Sequence, residues 1–224
     1  WLNLGGRSFN STQELMLMVL NRHLLPKVKE IVLFSGFNNL GLARMPAEQR
    51  LDHGAFFNCN EFFDAFEIEE EGGIKNWFKS NKKVVEPQVP SMPEQIDYAA
   101  DLTLRHLDVW RILANEMGAK LTFVLQPLSE WVRKVGCKEE EALFAELDKL
   151  GNFSDYYGDI LEPQVLTDYA SKIQTGAQAM DVNFINLTPL IQQALKADQW
   201  LFVDRIHFTD QGHDFVSKIL LDNL

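Results

Sequence analysis

Glu30-Ile31-Val32-Leu33-Phe34-Ser35, running into Gly36-Phe37-Asn38-Asn39, is the stretch that decides the fold. The apolar centre of its first six residues predicts a short strand covered on both faces, the kind found in parallel sheets. Upstream, Ser11 to Leu25 carries Leu15, Met16, Val19 and Leu20 on one face and stops near Pro26. That spacing predicts a helix with Ser11 or Thr12 as its N-cap. Leu2-Asn3-Leu4 reads as the tail of another strand, turning at Gly5-Gly6. Downstream, Ile96 to Met117 repeats apolar residues at three- and four-residue spacing, and Gly118 suits its C-cap. Lys120 to Gln126 is the next strand, closed by Pro127. Glu162 to Ala179 is a helix with Pro163 in its first turn. Asn183 to Leu187 is a strand, Thr188-Pro189 opens a short helix, and Asp210 to Leu221 forms the last helix.

Strands alternating with helices predict an α/β fold, a parallel sheet with helices on both faces. In such sheets ligands gather at the carboxyl ends of the strands. Chemistry is therefore expected in Gly5–Asn10, Gly36–Leu40, Gln126–Trp131, Thr188–Leu190 and the loop around 204–207. Residues 41–93 break the rhythm with Phe56-Phe57, Phe62-Phe63 and Phe66, the acidic run Glu67–Glu71 and a proline-containing stretch. They read as an insertion within a single domain of residues 1–224. Its phenylalanines either form a lid over the site or pack locally.

The net charge of −11 argues against a nucleic-acid backbone as partner. No apolar run approaches the ~20 residues of a membrane span. Cys59 and Cys137 sit in unlike contexts and are expected as free thiols, and no Cys/His spacing suggests zinc. Localisation is not readable from the opening Trp-Leu-Asn-Leu-Gly-Gly.

Asp204-Arg205-Ile206-His207 is the most informative short string. A carboxylate that takes the Nδ1 proton of a histidine fixes its tautomer and lets Nε2 act as a base toward a hydroxyl. Any charged loop can produce this spacing, with the Asp capping a turn and the His resting on the sheet. Gly36 and Asn38, directly after a strand, can offer a backbone N–H and a side-chain amide to one developing oxyanion. The N–H groups of the Gly5–Asn10 turn can do the same, though both segments also read as ordinary turns.

In this order the three segments resemble signature blocks of the SGNH (GDSL-like) hydrolases. Asn3-Leu4-Gly5-Gly6-Arg7-Ser8-Phe9-Asn10 is similar to the second block, Gly36-Phe37-Asn38-Asn39 to the third, and Asp204-Arg205-Ile206-His207 to the fifth. The resemblance implies a three-layer α/β/α fold with a flavodoxin-like parallel sheet. It implies His207 as general base and acid and Asp204 as its orienting partner. Asn38 and the Ser8 backbone N–H would donate to the oxyanion, with Gly5, Gly36 and Asn39 in support. Asn39 stands where the family usually has Asp. The substrate would be a small-molecule or carbohydrate acyl ester, cleaved through an acyl-enzyme without metal or organic cofactor.

The first block, Gly-Asp-Ser at the end of the first strand, has no counterpart: the only Gly-Asp, Gly158-Asp159, precedes Ile160. In the family's sheet that strand is central, and its neighbours would be left with unpaired backbone groups. The expectation is that a separate N-terminal segment supplies both strand and serine. Two other readings remain: an O-acyltransferase on the same scaffold, or a non-catalytic SGNH-like binding domain. Ser8 is a poorer candidate nucleophile, since the resemblance gives it to the oxyanion hole.

Overall fold

The computed structural model describes residues 1–6, 8–45, 50, 89–151, 153 and 157–224. The Phe56–Phe66 lid and Cys59 lie outside them. The sheet has three parallel strands: β1 (Glu30–Ser35), β2 (Lys120–Leu125) and β3 (Asn183–Asn186), in the order β1-β2-β3. β1 and β2 run in register from Glu30↔Lys120 to Ser35↔Leu125, and β2 and β3 from Thr122↔Asn183 to Leu125↔Asn186. The helices are α1 (Ser11–Asn21), α2 (Phe37–Ala43), α3 (Met92–Met117), α4 (Ser129–Val132), α5 (Lys138–Leu150), α6 (Pro163–Ala179), α7 (Leu187–Ala194) and α8 (Asp210–Leu221).

Strand side chains alternate between two apolar clusters, as the two-residue period of a strand requires. Ile31, Leu33, Phe123 and Leu125 join Leu40, Ala99, Leu107, Tyr169 and Ile173 of α2, α3 and α6. Val124 and Ile185 join Phe144, Ile191, Phe208 and Val216 on the other side. The architecture is thus mixed α/β with helices on both faces of a parallel sheet.

The long helix α3 forms over the predicted stretch but begins earlier, at Met92 in place of Ile96. Ile96, Ala99, Ala100 and Leu107 are buried, Ser91 and Glu94 make a capping box, and Gly118 closes the helix at φ 64°. β3 ends a residue early because Asn186 caps α7, accepting from the Thr188 N–H.

Five expectations are corrected. Leu2-Asn3-Leu4 is not a strand: it has no strand beside it among the described residues, and Leu2 is 68% exposed. α1 is capped by Asn10 and not by Ser11 or Thr12, both of which are buried. The Asn10 side chain accepts from the Gln13 N–H, and Gln13 Oε1 accepts from the Asn10 N–H at 3.2 Å. Only part of the expected apolar face of α1 is used, since Leu15 packs partly buried against the core. Met18 is buried, whereas Met16, Val19 and Leu20 stand exposed. Finally, β1 is fully covered on one face only, because Val32 is half-buried and Phe34 is 37% exposed. The described helices on that side pack over β2 and β3, where Val124 and Ile185 are buried. The interruption at 41–93 is also narrower at its ends, since Gly41–Ala43 finish α2 and Met92 begins α3.

Candidate functional site

The loop after β1 is shorter than expected. Gly36 alone turns the chain, at φ 136°, and α2 starts at Phe37. Only glycine fits there, since an added Cβ would lie 2.6 Å from Leu125 Cδ1 as well as in a disfavoured backbone region. The first turn of α2 therefore presents Asn38 and Asn39. Asn38 Nδ2 donates to the Phe9 carbonyl at 2.7 Å, which joins the two segments expected to build the oxyanion hole. Ser8, next to Phe9, holds φ 58°. A non-glycine residue there is uncommon.

Asn39 points the other way, into the core. Its Nδ2 donates to Ser11 Oγ at 2.9 Å and to Thr103 Oγ1 at 2.6 Å, and its Oδ1 accepts the Ser11 N–H at 3.1 Å. The network continues from Ser11 Oγ to His106 Nδ1 at 2.8 Å and from Thr103 Oγ1 to the Tyr169 hydroxyl at 3.3 Å. That hydroxyl reaches the Gly36 carbonyl at 3.2 Å. Burial raises the Tyr169 phenol well above its ordinary range, so it remains a neutral hydrogen-bonding group. None of this is legible from spacing, because its members are polar residues on four helices and a turn. The Ser11–His106 contact resembles a nucleophile–base pair, but Ser11 is buried and already engaged with Asn39. It ties α1 to α3.

Gly5 plays no visible part in the site. Its N–H donates to Asn3 Oδ1 at 2.8 Å in an exposed turn. Glu14, which sequence reading passed over, approaches the end of β1. Burial pushes its carboxyl up to about 7, and a hydrogen bond with the Ser35 side chain opposes that in part.

The 204–207 loop carries the clearest arrangement. Asp204 Oδ2 lies 2.7 Å from His207 Nδ1. The other oxygen, Oδ1, accepts the backbone N–H of Ile206 and of His207, both at 2.7 Å. Burial would raise the Asp204 carboxyl, but the bonds from the His207 ring and the two backbone N–H groups prevail and hold it below its ordinary value. The His207 side chain itself is 67% exposed.

This loop rests on the carboxyl end of β2. Ser129 N–H donates to the Arg205 carbonyl at 3.0 Å, and Gln126 Nε2 to the Ile206 carbonyl at 3.3 Å. Gln126 N–H in turn donates to the Ser35 carbonyl at 2.9 Å. The Phe208 ring meets Phe34 of β1 edge-on at 6.5 Å. Asp204 and His207 thus share a sheet edge with Gly36, Asn38 and Ser8. Among the described residues no group of three or more His, Cys, Asp or Glu is placed to hold a metal ion, and no helix is long and apolar enough to cross a membrane. Cys137 is a free, buried thiol.

Compared with known proteins, the chain matches no protein-family model, and no curated protein matches its sequence.

Proposed function

We propose that this chain forms the acid–base and oxyanion side of a serine ester hydrolase of SGNH type. The Asp204–His207 pair carries the reading. One carboxylate oxygen orients the imidazole while the other is fixed by two backbone N–H groups, which leaves proton uptake to Nε2. A serine hydroxyl would give its proton to that nitrogen and attack the acyl carbonyl. The oxyanion would accept hydrogen bonds from the Ser8 N–H and from the Asn38 amide, whose Nδ2 carries one N–H beyond that directed at Phe9. His207 then protonates the leaving alkoxide, and water cleaves the acyl-enzyme by the same route. Asp204, held below the ordinary carboxylate range, stays ionised throughout.

In this reading the serine would sit on a further strand paired with the edge of β1 that has no partner among the described residues. Parallel addition there would place the end of that strand beside Gly36. The substrate class is a small-molecule or carbohydrate acyl ester.

The test is ester cleavage by the protein that includes such a segment. His207→Ala is expected to lower kcat by several orders of magnitude, and Asn38→Ala by about a hundred- to a thousandfold. The 224-residue chain alone should resist a fluorophosphonate probe. Its covalent labelling, mapped to Ser8 or any other serine, would refute this placement of the nucleophile. Transfer of the acyl group to an added alcohol in place of water would make the enzyme an acyltransferase.

A further inference from the structure

His207 is exposed and lies in a segment without regular secondary structure, yet its ring must keep one orientation to serve as a base. The residue between it and its partner aspartate behaves in the opposite way. The Arg205 side chain is only 16% exposed. Its Nη1 donates to Glu130 Oε1 at 2.6 Å and its Nη2 to Asp148 Oδ2 at 2.5 Å. These acceptors lie on α4 and α5, so one guanidinium bridges two helices. The same group stands over the buried Phe144 ring, 5.2 Å from its centroid. A cavity of about 190 Å³ adjoins this bridge, with Glu130, Arg133, Asp148 and Arg205 in its wall.

We propose that Arg205 is a positioning residue for His207. By tethering the middle of the Asp204–His207 loop to α4 and α5, it holds the backbone on which the Asp204–His207 hydrogen bond is built. The planar fork of arginine suits this task. It can address two carboxylates at fixed directions while its face rests on an aromatic ring, and the point charge of lysine cannot do all three. The loop's own bonds, from Asp204 Oδ1 to the N–H groups of Ile206 and His207, close a tight turn. They do not fix that turn to the sheet. The tether comes from Arg205, with the Ser129 and Gln126 bonds to the Arg205 and Ile206 carbonyls on either side.

This inference rests on the hydrolase reading, but its test needs no ester turnover. Amide exchange and the imidazole tautomer signals of His207 are followed by NMR in the 224-residue chain. Arg205→Gln is expected to speed exchange of the Ile206 and His207 amides at least about tenfold relative to those of β2. It should also average the Nδ1-protonated signature of His207 toward that of a free imidazole. Arg205→Lys should recover part of both effects. The double variant Glu130→Gln/Asp148→Asn keeps the arginine and should reproduce the local loss. Unchanged exchange and tautomer in Arg205→Gln would overturn the proposal. So would equal loss of protection across β2 and α6 in both the single and double variants, which marks a general stabiliser and not a positioning residue. If the tautomer responds as expected but the segment-bearing protein cleaves no ester, the hydrolase reading fails and the tether stands.

Discussion

Ser8, at φ 58°, adopts a left-handed conformation that costs an L-residue about 1–2 kcal/mol. Glycine removes that strain but loses about 0.5–1 kcal/mol through a freer unfolded chain. Ser8→Gly is therefore expected to raise stability by roughly 0.5–1 kcal/mol in urea melts. The N–H is kept, so an oxyanion role would survive the change. Glu14 tests the opposite kind of strain. Its folded-state value is about 7, and its unfolded value is near ~4.3. Below pH ~4 both states are protonated and no penalty exists. As pH rises from there to about 7 the unfolded chain ionises first, and stability falls before levelling off. Full burial would make the loss about 3 kcal/mol, and the residue's partial exposure reduces it to about 2. Glu14→Gln should accordingly melt higher than the parent at pH 8 and equally at pH 4. A pH-independent difference would show that desolvation is not the cause. Asp204 has the reverse sign. Its folded value is depressed, so its contribution to the loop is complete above its unfolded value of ~3.9. That contribution disappears as pH falls through the lower folded value. The Ile206 amide signal, followed on acid titration, should report this loss.

At the scale of elements, α5 shows what pattern reading misses. Only Glu140 and Phe144 of its thirteen residues are buried, too narrow a stripe to stand out in KEEEALFAELDKL. Yet Glu140 holds the region together. Its Oε1 accepts the N–H groups of Leu201 and Phe202 at 2.8 and 3.0 Å, and its Oε2 meets Arg133 at 2.7 Å. Glu140→Ala leaves Arg133 and three buried N–H groups, those of Cys137, Leu201 and Phe202, without this acceptor and is expected to cost about 3–5 kcal/mol in thermal or denaturant unfolding. A loss under ~1 kcal/mol would mean that water replaces the carboxylate. The long helix α3, by contrast, was legible in its body and at its C-terminal end, although it begins at Met92 and not at the expected Ile96. Its buried stripe and terminal Gly118 agree, whereas the Ser91–Glu94 capping box lies ahead of the apolar repeat and was not read. The Asp204–His207 pair was legible because both partners lie in one turn of chain. The partners of Asn39 in the core, Thr103 and beyond it Tyr169, were not, because hydrogen bonds between distant polar residues leave no periodic trace.

Across the whole molecule, the parallel sheet was legible from its three apolar strands, whereas the covering of β1 was not. Among the described residues, exposed apolar side chains concentrate toward the start of the chain: Trp1, Leu2, Leu4, Met16, Val19, Leu20, Leu24 and Phe34. A pattern in sequence shows that a face is apolar but not what lies against it. The triple change Met16→Ser, Val19→Ser, Leu20→Ser should reduce binding of a hydrophobic dye by the chain and alter its stability by less than about 1 kcal/mol. A larger loss of stability would show that this face is packed. In the presence of a segment that completes the sheet, the parent chain should lose dye binding as that surface is covered.

The polar network beneath α2 also bears on how the chain folds. Its bonds close loops of very different span: 28 residues from Ser11 to Asn39, 95 from Ser11 to His106, and 133 from Gly36 to Tyr169. Parallel strands joined by crossovers already favour slow folding, because long loops must close before their contacts contribute. Asn39 and Ser11 can meet early, but their hydroxyl and amide groups gain Thr103 and Tyr169 only after α3 and α6 have docked. Until then these groups need water. Dehydration of this layer is thus coupled to the last long-range closure, and the transition state should still be wet there. Asn39→Ala is then expected to accelerate unfolding far more than it slows refolding.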